Sequence, residues 1–240
     1  MERNKYMSKI SLIIPCYNEA LRINFNEFKN FKDIFFLFVN DGSTDNTFSI
    51  INNNLSENIS LLNLSKNVGK GEAIRQGITH LKTLPIYNQT TWIGFWDADL
   101  STPLDEAENF IKYAELQTLA PIAVFGSRIT RLGSNIHKKM YRRILGVLFQ
   151  NFANKLLNIN CYDSQCGAKL FKKEIIDLAF NQPFISPWLF DLEIIKRLKN
   201  YNLVEYPLNS WVHKDGSKIK IHKLFLRVIW ELLKIKKNEN

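Results

Sequence analysis

Hydrophobic positions along this chain follow two alternating rhythms. Short continuous apolar runs recur through the first half, over residues 10–14 (ending at Pro15), 34–39, 59–64, 91–96 and 122–125. Each has the length of a strand buried on both faces, which needs no polar side. Between them lie segments of helical character: 19–31, then 44–55 with Ser43 or Thr44 as N-cap, then 71–84, then a helix opened by Pro103. This alternation predicts an α/β fold with a mostly parallel central sheet flanked by helices.

The rhythm changes after Gly126. Residues 137–158 predict a long amphipathic helix, with Met140, Ile144, Leu148, Phe152 and Leu156 at four-residue spacing. A short strand is expected over 168–171, a helix over 190–200 and a strand over 203–208. Residues 223–237 predict a closing amphipathic helix. Lys223, Arg227, Glu231 and Lys234 form its narrow polar stripe, against a broad apolar face that includes Leu224, Phe225, Val228, Trp230 and Leu232. Three readings of that helix stay open: packing on the domain, forming a dimer, or lying in a membrane interface.

Composition narrows the class. A chain of 240 residues with 45% hydrophobic and 23% charged residues is ordinary for a globular protein with one sizeable core or two small ones, so length alone favours one to two domains. Cys16, Cys161 and Cys166 form no CxxC pair, so neither a disulfide framework nor a zinc site is expected, and a reducing compartment is. Residues 1–9 are polar and predict no secretory signal, and no apolar run reaches the roughly 18 residues of a membrane span. The net charge of +9 is concentrated. Between Leu116 and Tyr162 there is no Asp or Glu, while Arg128, Arg131, Lys138, Lys139, Arg142, Arg143 and Lys155 lie there. Such a patch attracts a polyanion, whether nucleic acid, anionic lipid or a phosphorylated substrate.

The polar chemistry falls at the carboxyl ends of the expected strands, where open α/β sheets bind ligands. The first strand leads into Pro15-Cys16-Tyr17-Asn18-Glu19. The second leads into Asn40-Asp41-Gly42-Ser43-Thr44-Asp45, the third into Asn67-Val68-Gly69-Lys70-Gly71, and the fourth into Asp97-Ala98-Asp99. Extended alternation sends Asp97 and Asp99 to one side, and two hard oxygen ligands there suit Mg²⁺ or Mn²⁺ holding a diphosphate. Tyr17 can stack on a base and Asp41 can accept from base or ribose. Gly69-Lys70-Gly71 offers N–H groups and a cation to phosphate. No P-loop or GxGxxG spacing is present, which argues against ATPase and dinucleotide-binding classes.

Together these blocks resemble the nucleotide-sugar half of family 2 glycosyltransferases with the GT-A fold. Gly126-Ser127-Arg128, the run Asp163-Ser164-Gln165-Cys166-Gly167-Ala168-Lys169-Leu170-Phe171, Trp188-Leu189-Phe190-Asp191-Leu192-Glu193, and Trp211 with Gly216-Ser217-Lys218 are similar to the dolichyl-phosphate β-glucosyltransferase branch. The resemblance spans roughly residues 9–220 in order. It implies one GT-A catalytic domain over 1–220, with the nucleotide-sugar half at 9–100 and the acceptor half at 101–220, followed by a basic amphipathic helix at 221–240.

The activity implied is inverting, divalent-metal-dependent transfer of a hexose, glucose from UDP-glucose, to a polyprenyl or dolichyl phosphate. Pro15, Tyr17, Asn18, Glu19, Asp41, Ser43, Gly69, Lys70, Asp97, Ala98 and Asp99 would hold the UDP-sugar, with Asp97 and Asp99 on the metal. Arg128, Arg131, Arg142, Arg143, Gln165 and Trp188 would receive the acceptor. A phosphate acceptor is already ionised and needs positioning more than a base. A sugar hydroxyl acceptor, as in surface-polysaccharide or glycolipid assembly, would need a carboxylate base, for which Asp163 and Asp191 are candidates. The expected setting is the cytoplasmic face of a membrane, peripherally bound, with an oligomer possible.

Plainer roles stand beside these. Asp41 could close an Asx turn, Lys70 and the basic helix start could be solvated cations, Asp163 could cap a turn, and Asp191 could favour a helix N-terminus. Trp188 and Trp211 could simply pack. A basic nucleic-acid-binding module is the reading from another class. No nucleic-acid motif supports it, and the carboxylate clusters would repel phosphate, so no nucleic-acid partner is expected.

Overall fold

The structure is a computed structural model and describes residues 10–137, 140–212 and 221–238. Lys138, Lys139 and the block His213-Lys214-Asp215-Gly216-Ser217-Lys218 lie outside the described residues, as do the side chains of Met140, Arg142 and residues 221–227, among them Lys223, Leu224, Phe225 and Arg227.

Seven strands make the main sheet: β1 (Ile10–Cys16), β2 (Ile34–Asp41), β3 (Ile59–Leu64), β4 (Trp92–Trp96), β5 (Ala123–Ser127), β7 (Ala168–Lys172) and β8 (Leu203–Pro207), in the order β3-β2-β1-β4-β7-β5-β8. The short strands β6 (Asn135–His137) and β9 (Ser210–Val212) pair separately. β1 runs parallel to β2, with Ile10 opposite Ile34, and parallel to β4, with Ile10 opposite Trp92. β7 is the exception. It enters antiparallel between β4 and β5, with Trp96 opposite Ala168 and Ala123 opposite Phe171.

The apolar runs are continuous because both faces of the sheet are covered. Leu12, Ile14, Phe36, Phe38 and Trp96 face one layer, packed with Phe28 and Phe110 from α1 (Phe25–Lys29) and α4 (Glu106–Glu115). Ile13, Leu37, Val39 and Phe95 face the other, where α3 (Lys70–Leu81) contributes Ala73, Ile74 and Ile78. Residues adjacent in sequence thus serve opposite cores, as strand alternation requires.

Three expected helices are shorter than their periodicity. In 19–31 only α1 forms, because the Glu19 carbonyl closes a turn by accepting from the Arg22 and Ile23 N–H groups. In 44–55 the helix is α2 (Thr47–Asn52), and neither Ser43 nor Thr44 caps it. The N-cap is Asn46, without a side-chain cap, and Asp45 Oδ1 closes the turn ahead of the helix by accepting from Thr47 N at 2.9 Å. Pro103 sits a turn ahead of α4, its carbonyl accepting from Glu106 N.

Further along come α5 (Met140–Leu157), α6 (Ile176–Phe180), α7 (Phe190–Arg197) and α8 (Ile221–Lys237). The expected stripe of α5 is turned outward: Ile144, Leu148 and Phe152 are exposed, while Ala153 and Leu157 are buried. Those two join Leu189 and Leu192, and Leu232 and Ile235 of α8, in a third cluster. The described part of α8 therefore packs on the domain. Glu231 is hydrogen-bonded to Ser186 Oγ, and Lys196 Nζ donates to the Ile235 carbonyl at 2.6 Å.

Candidate active site

β1 and β4 are neighbours in the sheet yet lie far apart in sequence, so the chain leaves β1 in one direction and returns beside it from the other. A crevice opens at the carboxyl ends of such a pair. A cleft of about 750 Å³ lies there, a size suited to a nucleotide-sized ligand. Its walls include Pro15 near the end of β1 and Tyr17 just after it, Asp41 at the end of β2, Val68, Gly69 and Lys70 leading into α3, and Asp97, Ala98 and Asp99 after β4.

The loops after β1 and β2 are stitched by side chains rather than by regular structure. Asn18 N donates to Ser43 Oγ at 3.0 Å, and Asn18 Oδ1 accepts from Thr44 N at 2.9 Å. Glu19 N donates to Thr47 Oγ1 at 2.8 Å. Asn18 and Ser43 accordingly hold the rim together and do not line the cleft, whereas Pro15, Tyr17 and Glu19 do.

Asp41 ties β2 to the loop that leads into α3. Its Oδ1 accepts from Val68 N at 2.7 Å, and its Oδ2 accepts from Gly69 N and Asn67 Nδ2, both at 3.0 Å. Burial raises its carboxyl pKa, and the Val68 and Gly69 N–H groups oppose the rise. Gly42 follows at φ +62°, with Asn67 N only 2.4 Å from where a Cβ would sit, so a side chain fits neither the backbone angle nor the space.

At the floor, Lys70 Nζ lies 2.5 Å from Asp97 Oδ1. Burial alone would depress the Lys70 pKa, but Asp97 and Asp191 outweigh it and raise it. Asp99 Oδ1 accepts from Ser101 N at 2.9 Å, and its Oδ2 lies 3.9 Å from Arg22 Nη1. Arg22 also pairs with Glu19. Glu19 Oε2 is buried without a hydrogen-bond partner. Burial raises the Glu19 pKa; Arg22 lowers it, and Asp99 and Asp97 add to the rise.

The opposite wall comes from the second half: Gln165, Pro187, Trp188, Phe190 and Asp191. Gln165 Nε2 is a buried donor with no acceptor. Trp188 is 43% exposed on the rim. Asp191 opens α7 and accepts from Lys169 Nζ at 2.6 Å. Burial raises its pKa, against the pull of Lys169 and Lys70.

Other residues named from sequence stand elsewhere. Asp163 and Arg128 form a forked ion pair, with Nε to Oδ2 and Nη2 to Oδ1 both 2.7 Å, and Arg128 lies over the Trp211 ring. Arg131 donates to the Pro207 carbonyl and to Asn209 Oδ1. Arg143 is exposed on α5. None of these four lines the cleft.

Sequence reasoning gave no role to Lys169, Asn67, Arg22 or Gly167. The available signal was Lys169 itself, a charge inside the apolar strand Ala168-Lys169-Leu170-Phe171. It is fully buried, with Nζ 2.5 Å from the Cys166 carbonyl and above the Phe95 and Phe125 rings.

Hard oxygen donors on Asp97, Asp99 and the orphaned Glu19 Oε2 fit Mg²⁺ or Mn²⁺ in chemistry. Among the described residues, no three His, Cys, Asp or Glu side chains form a cage. Mg²⁺ is ordinarily held by one or two carboxylates together with substrate phosphate oxygens, so the donor set suits an ion that arrives with a diphosphate.

A parallel sheet interrupted by one antiparallel strand, with paired aspartates at a crevice beyond β4, is the α/β fold of the GT-A glycosyltransferases. A family model described as "Glycosyl transferase family 2" matches residues 11–179, and the chain belongs to that family and is a glycosyltransferase. It is similar to the dolichyl-phosphate beta-glucosyltransferase of Dictyostelium discoideum, 30% identical over 250 residues that span 95% of this chain and 73% of that protein. The Saccharomyces cerevisiae protein of the same name is 29% identical, over 88% of this chain and 69% of its own length. Among solved structures, glucosyl-3-phosphoglycerate synthase from Mycobacterium tuberculosis, in complex with Mn²⁺, UDP and glucosyl-3-phosphoglycerate, superposes with a TM-score of 0.69 at 16% identity. The match covers 97% of this chain and 81% of that one.

Proposed function

We propose that this glycosyltransferase moves glucose from UDP-glucose to a polyprenyl or dolichyl phosphate, with inversion, at a membrane surface facing the cytoplasm. The observation that carries the reading is the convergence of Tyr17, Asp41, Lys70, Asp97 and Asp99 on one cleft, opposite Gln165, Trp188 and Asp191. The names of the relatives supply the sugar and the lipid class.

In this reading Tyr17 stacks on uracil at the cleft mouth, and the Val68–Gly69 turn, held by Asp41, fixes the wall beside the ribose and phosphates. Lys70 neutralises charge as the diphosphate leaves. Asp97 and Asp99 would hold Mg²⁺ or Mn²⁺, which when bound supplies further charge stabilisation to the diphosphate. Gln165 Nε2, an unused donor, meets an oxygen of donor sugar or acceptor. The acceptor phosphate is already ionised, so the second wall has only to place its oxygen in line with the anomeric carbon.

A second reading keeps the donor and takes a sugar hydroxyl as acceptor. One observation favours it: Asp191 lines the cleft and its pKa is raised, as a proton acceptor needs.

The test is transfer from labelled UDP- and GDP-sugars into an organic-extractable polyprenyl-phosphate fraction, with Mn²⁺ and with EDTA. Metal-dependent lipid label from UDP-glucose is the expected result. UDP release only when a sugar acceptor is supplied would move the assignment to the second reading, and neither result would sink both.

A further inference from the structure

Among the described residues, nothing covers the outward face of the first half of α5. Every described side chain from Arg143 to Leu148 is exposed, although the sequence there is Ile144-Leu145-Gly146-Val147-Leu148. Ile144 is 56% and Leu148 61% exposed. At 3.6 residues per turn, Ile144, Leu145, Val147, Leu148 and Phe152 fall within an arc of roughly 160°, and the buried Ala153 and Leu157 lie opposite it. A helix face this wide and apolar is ordinarily buried against something.

Charge decides what covers it. Arg143 and Lys155 are exposed towards either end of the stripe, and no acidic residue occurs from Gln117 to Cys161. A second copy of this face would bring like charges together across an apolar contact, in a chain of net charge +9. An anionic lipid surface offers the complementary sign together with an apolar interior. The neighbouring α8 has the same character: Trp230 and Leu233 are exposed, and Lys234 Nζ sits 3.3 Å from the Trp230 ring centroid.

The helix pair also reaches the cleft. Ala153 and Leu157 of α5 and Leu232 of α8 pack on Leu189, the residue after the rim residue Trp188. Ser186 Oγ accepts from Leu189 N at 2.8 Å and is bonded to Glu231 of α8.

We propose that the outward face of α5, over residues 144–152, docks on the surface of an anionic phospholipid bilayer and sets the cleft rim at Trp188 against it. The proposal rests on the proposed function only for what the docking delivers, an acceptor whose tail lies in lipid.

Purified full-length chain is sedimented with phosphatidylcholine vesicles, with and without phosphatidylglycerol, at low and high salt. Three proteins are compared: wild type, Ile144→Asn/Leu148→Asn, and Arg143→Gln/Lys155→Gln. Circular dichroism checks folding and calorimetry with UDP checks the donor site. Wild type is expected to bind the phosphatidylglycerol vesicles, weakened by salt. The apolar double variant loses at least about tenfold in affinity, since two large side chains no longer enter the interface. The charge variant loses most of the phosphatidylglycerol dependence, and UDP binding is unchanged in all three. Wild type that stays in the supernatant, or an apolar double variant that binds as well as wild type, overturns the proposal. So does a dimer-to-monomer change in the apolar variant without any vesicle effect, which would make the face a contact between copies. Vesicle binding without glycosyl transfer would instead overturn the functional reading and leave the docking surface standing.

Discussion

Lys169 Nζ lies 2.6 Å from Asp191 Oδ1, with the lysine side chain fully buried and the aspartate 7% exposed. The pair joins β7, the antiparallel strand, to the first turn of α7, and so fixes the second wall of the cleft to the sheet. Removing one partner strands the other charge away from water. Lys169→Met is therefore expected to cost about 3 kcal/mol, the low end for breaking a buried pair. Lys169→Met/Asp191→Asn should recover part of that loss. Urea denaturation of both single variants and the double variant measures it. Strictly additive losses would show that the two charges do not depend on each other.

Gly167 leaves room for Asp97. A Cβ there would lie 1.8 Å from Asp97 Oδ2, an overlap relieved only by moving the carboxylate. Gly167→Ala should therefore spare the fold and displace Asp97 from Lys70. We expect a fall in kcat/KM of about 100-fold or more, the scale of losing one preorganised charged contact, with little change in Tm. Unchanged kinetics would mean that Asp97 has no fixed position to lose.

Two carboxylates near the β1 and β2 loops should tilt stability with pH in opposite senses. Glu19 has a raised pKa, by burial first and then by Asp99 and Asp97 against the pull of Arg22. The folded state therefore holds its proton more tightly than the unfolded chain does. Its contribution is full below the ordinary value of 4.5 and is lost as pH rises through the folded value. Asp45 is the reverse. Burial would raise it, but the Thr47 hydroxyl and N–H and the Ala20 N–H outweigh burial and lower it. Its contribution is present above the ordinary value of 3.8 and fades as pH falls through the folded one. Relative to wild type, Glu19→Gln should gain stability between pH ~4 and neutrality, and Asp45→Asn should gain on acidification below pH ~4. Denaturation midpoints across that range decide both, and parallel curves for either variant would refute its half.

The parallel strands were legible because burial on both faces leaves an unbroken apolar run, and the placing of Tyr17, Lys70, Asp97 and Asp99 followed from where those runs end. β7 was expected as a strand, but its direction was not readable, since one short run carries no mark of which neighbours it pairs with. The cleft residues of the first half are local to strand ends. The opposite wall depends on Lys169 meeting Asp191, 22 residues apart, through tertiary contact alone. Helical periodicity located α5 but could not tell which of its two apolar faces meets the domain. Ala153 and Leu157 do, and the more hydrophobic stripe of Ile144, Leu148 and Phe152 faces out. Loop chemistry displaced the expected caps: Ser43 is engaged by Asn18, the N-cap is Asn46, and Asp45 holds only the Thr47 N–H of the entry turn.

Arg128 and Asp163 entered as an acceptor-binding cation and a candidate base, and their geometry supports a prediction that separates those roles from a structural one. The guanidinium presents two nitrogens to two carboxylate oxygens at 2.7 Å each, and Arg128 N adds a third bond to Asp163 Oδ2 at 3.0 Å. The Asp163 backbone N–H is in turn held by Glu205 Oε1 at 2.8 Å, and Arg128 covers the Trp211 ring. The pair thus fastens the end of β5 to the segment leading into β7 and to β8. Lysine has one charged nitrogen and cannot reproduce the fork. Arg128→Lys should therefore lower stability by about 1–3 kcal/mol while leaving the KM for the acceptor within about twofold at a temperature where the variant is folded. Asp163→Asn should behave alike, with no loss of the acidic limb in the pH–rate profile. A stable Arg128→Lys protein with an acceptor KM raised tenfold would return Arg128 to the acceptor site, and loss of the acidic limb in Asp163→Asn would make that carboxylate the base.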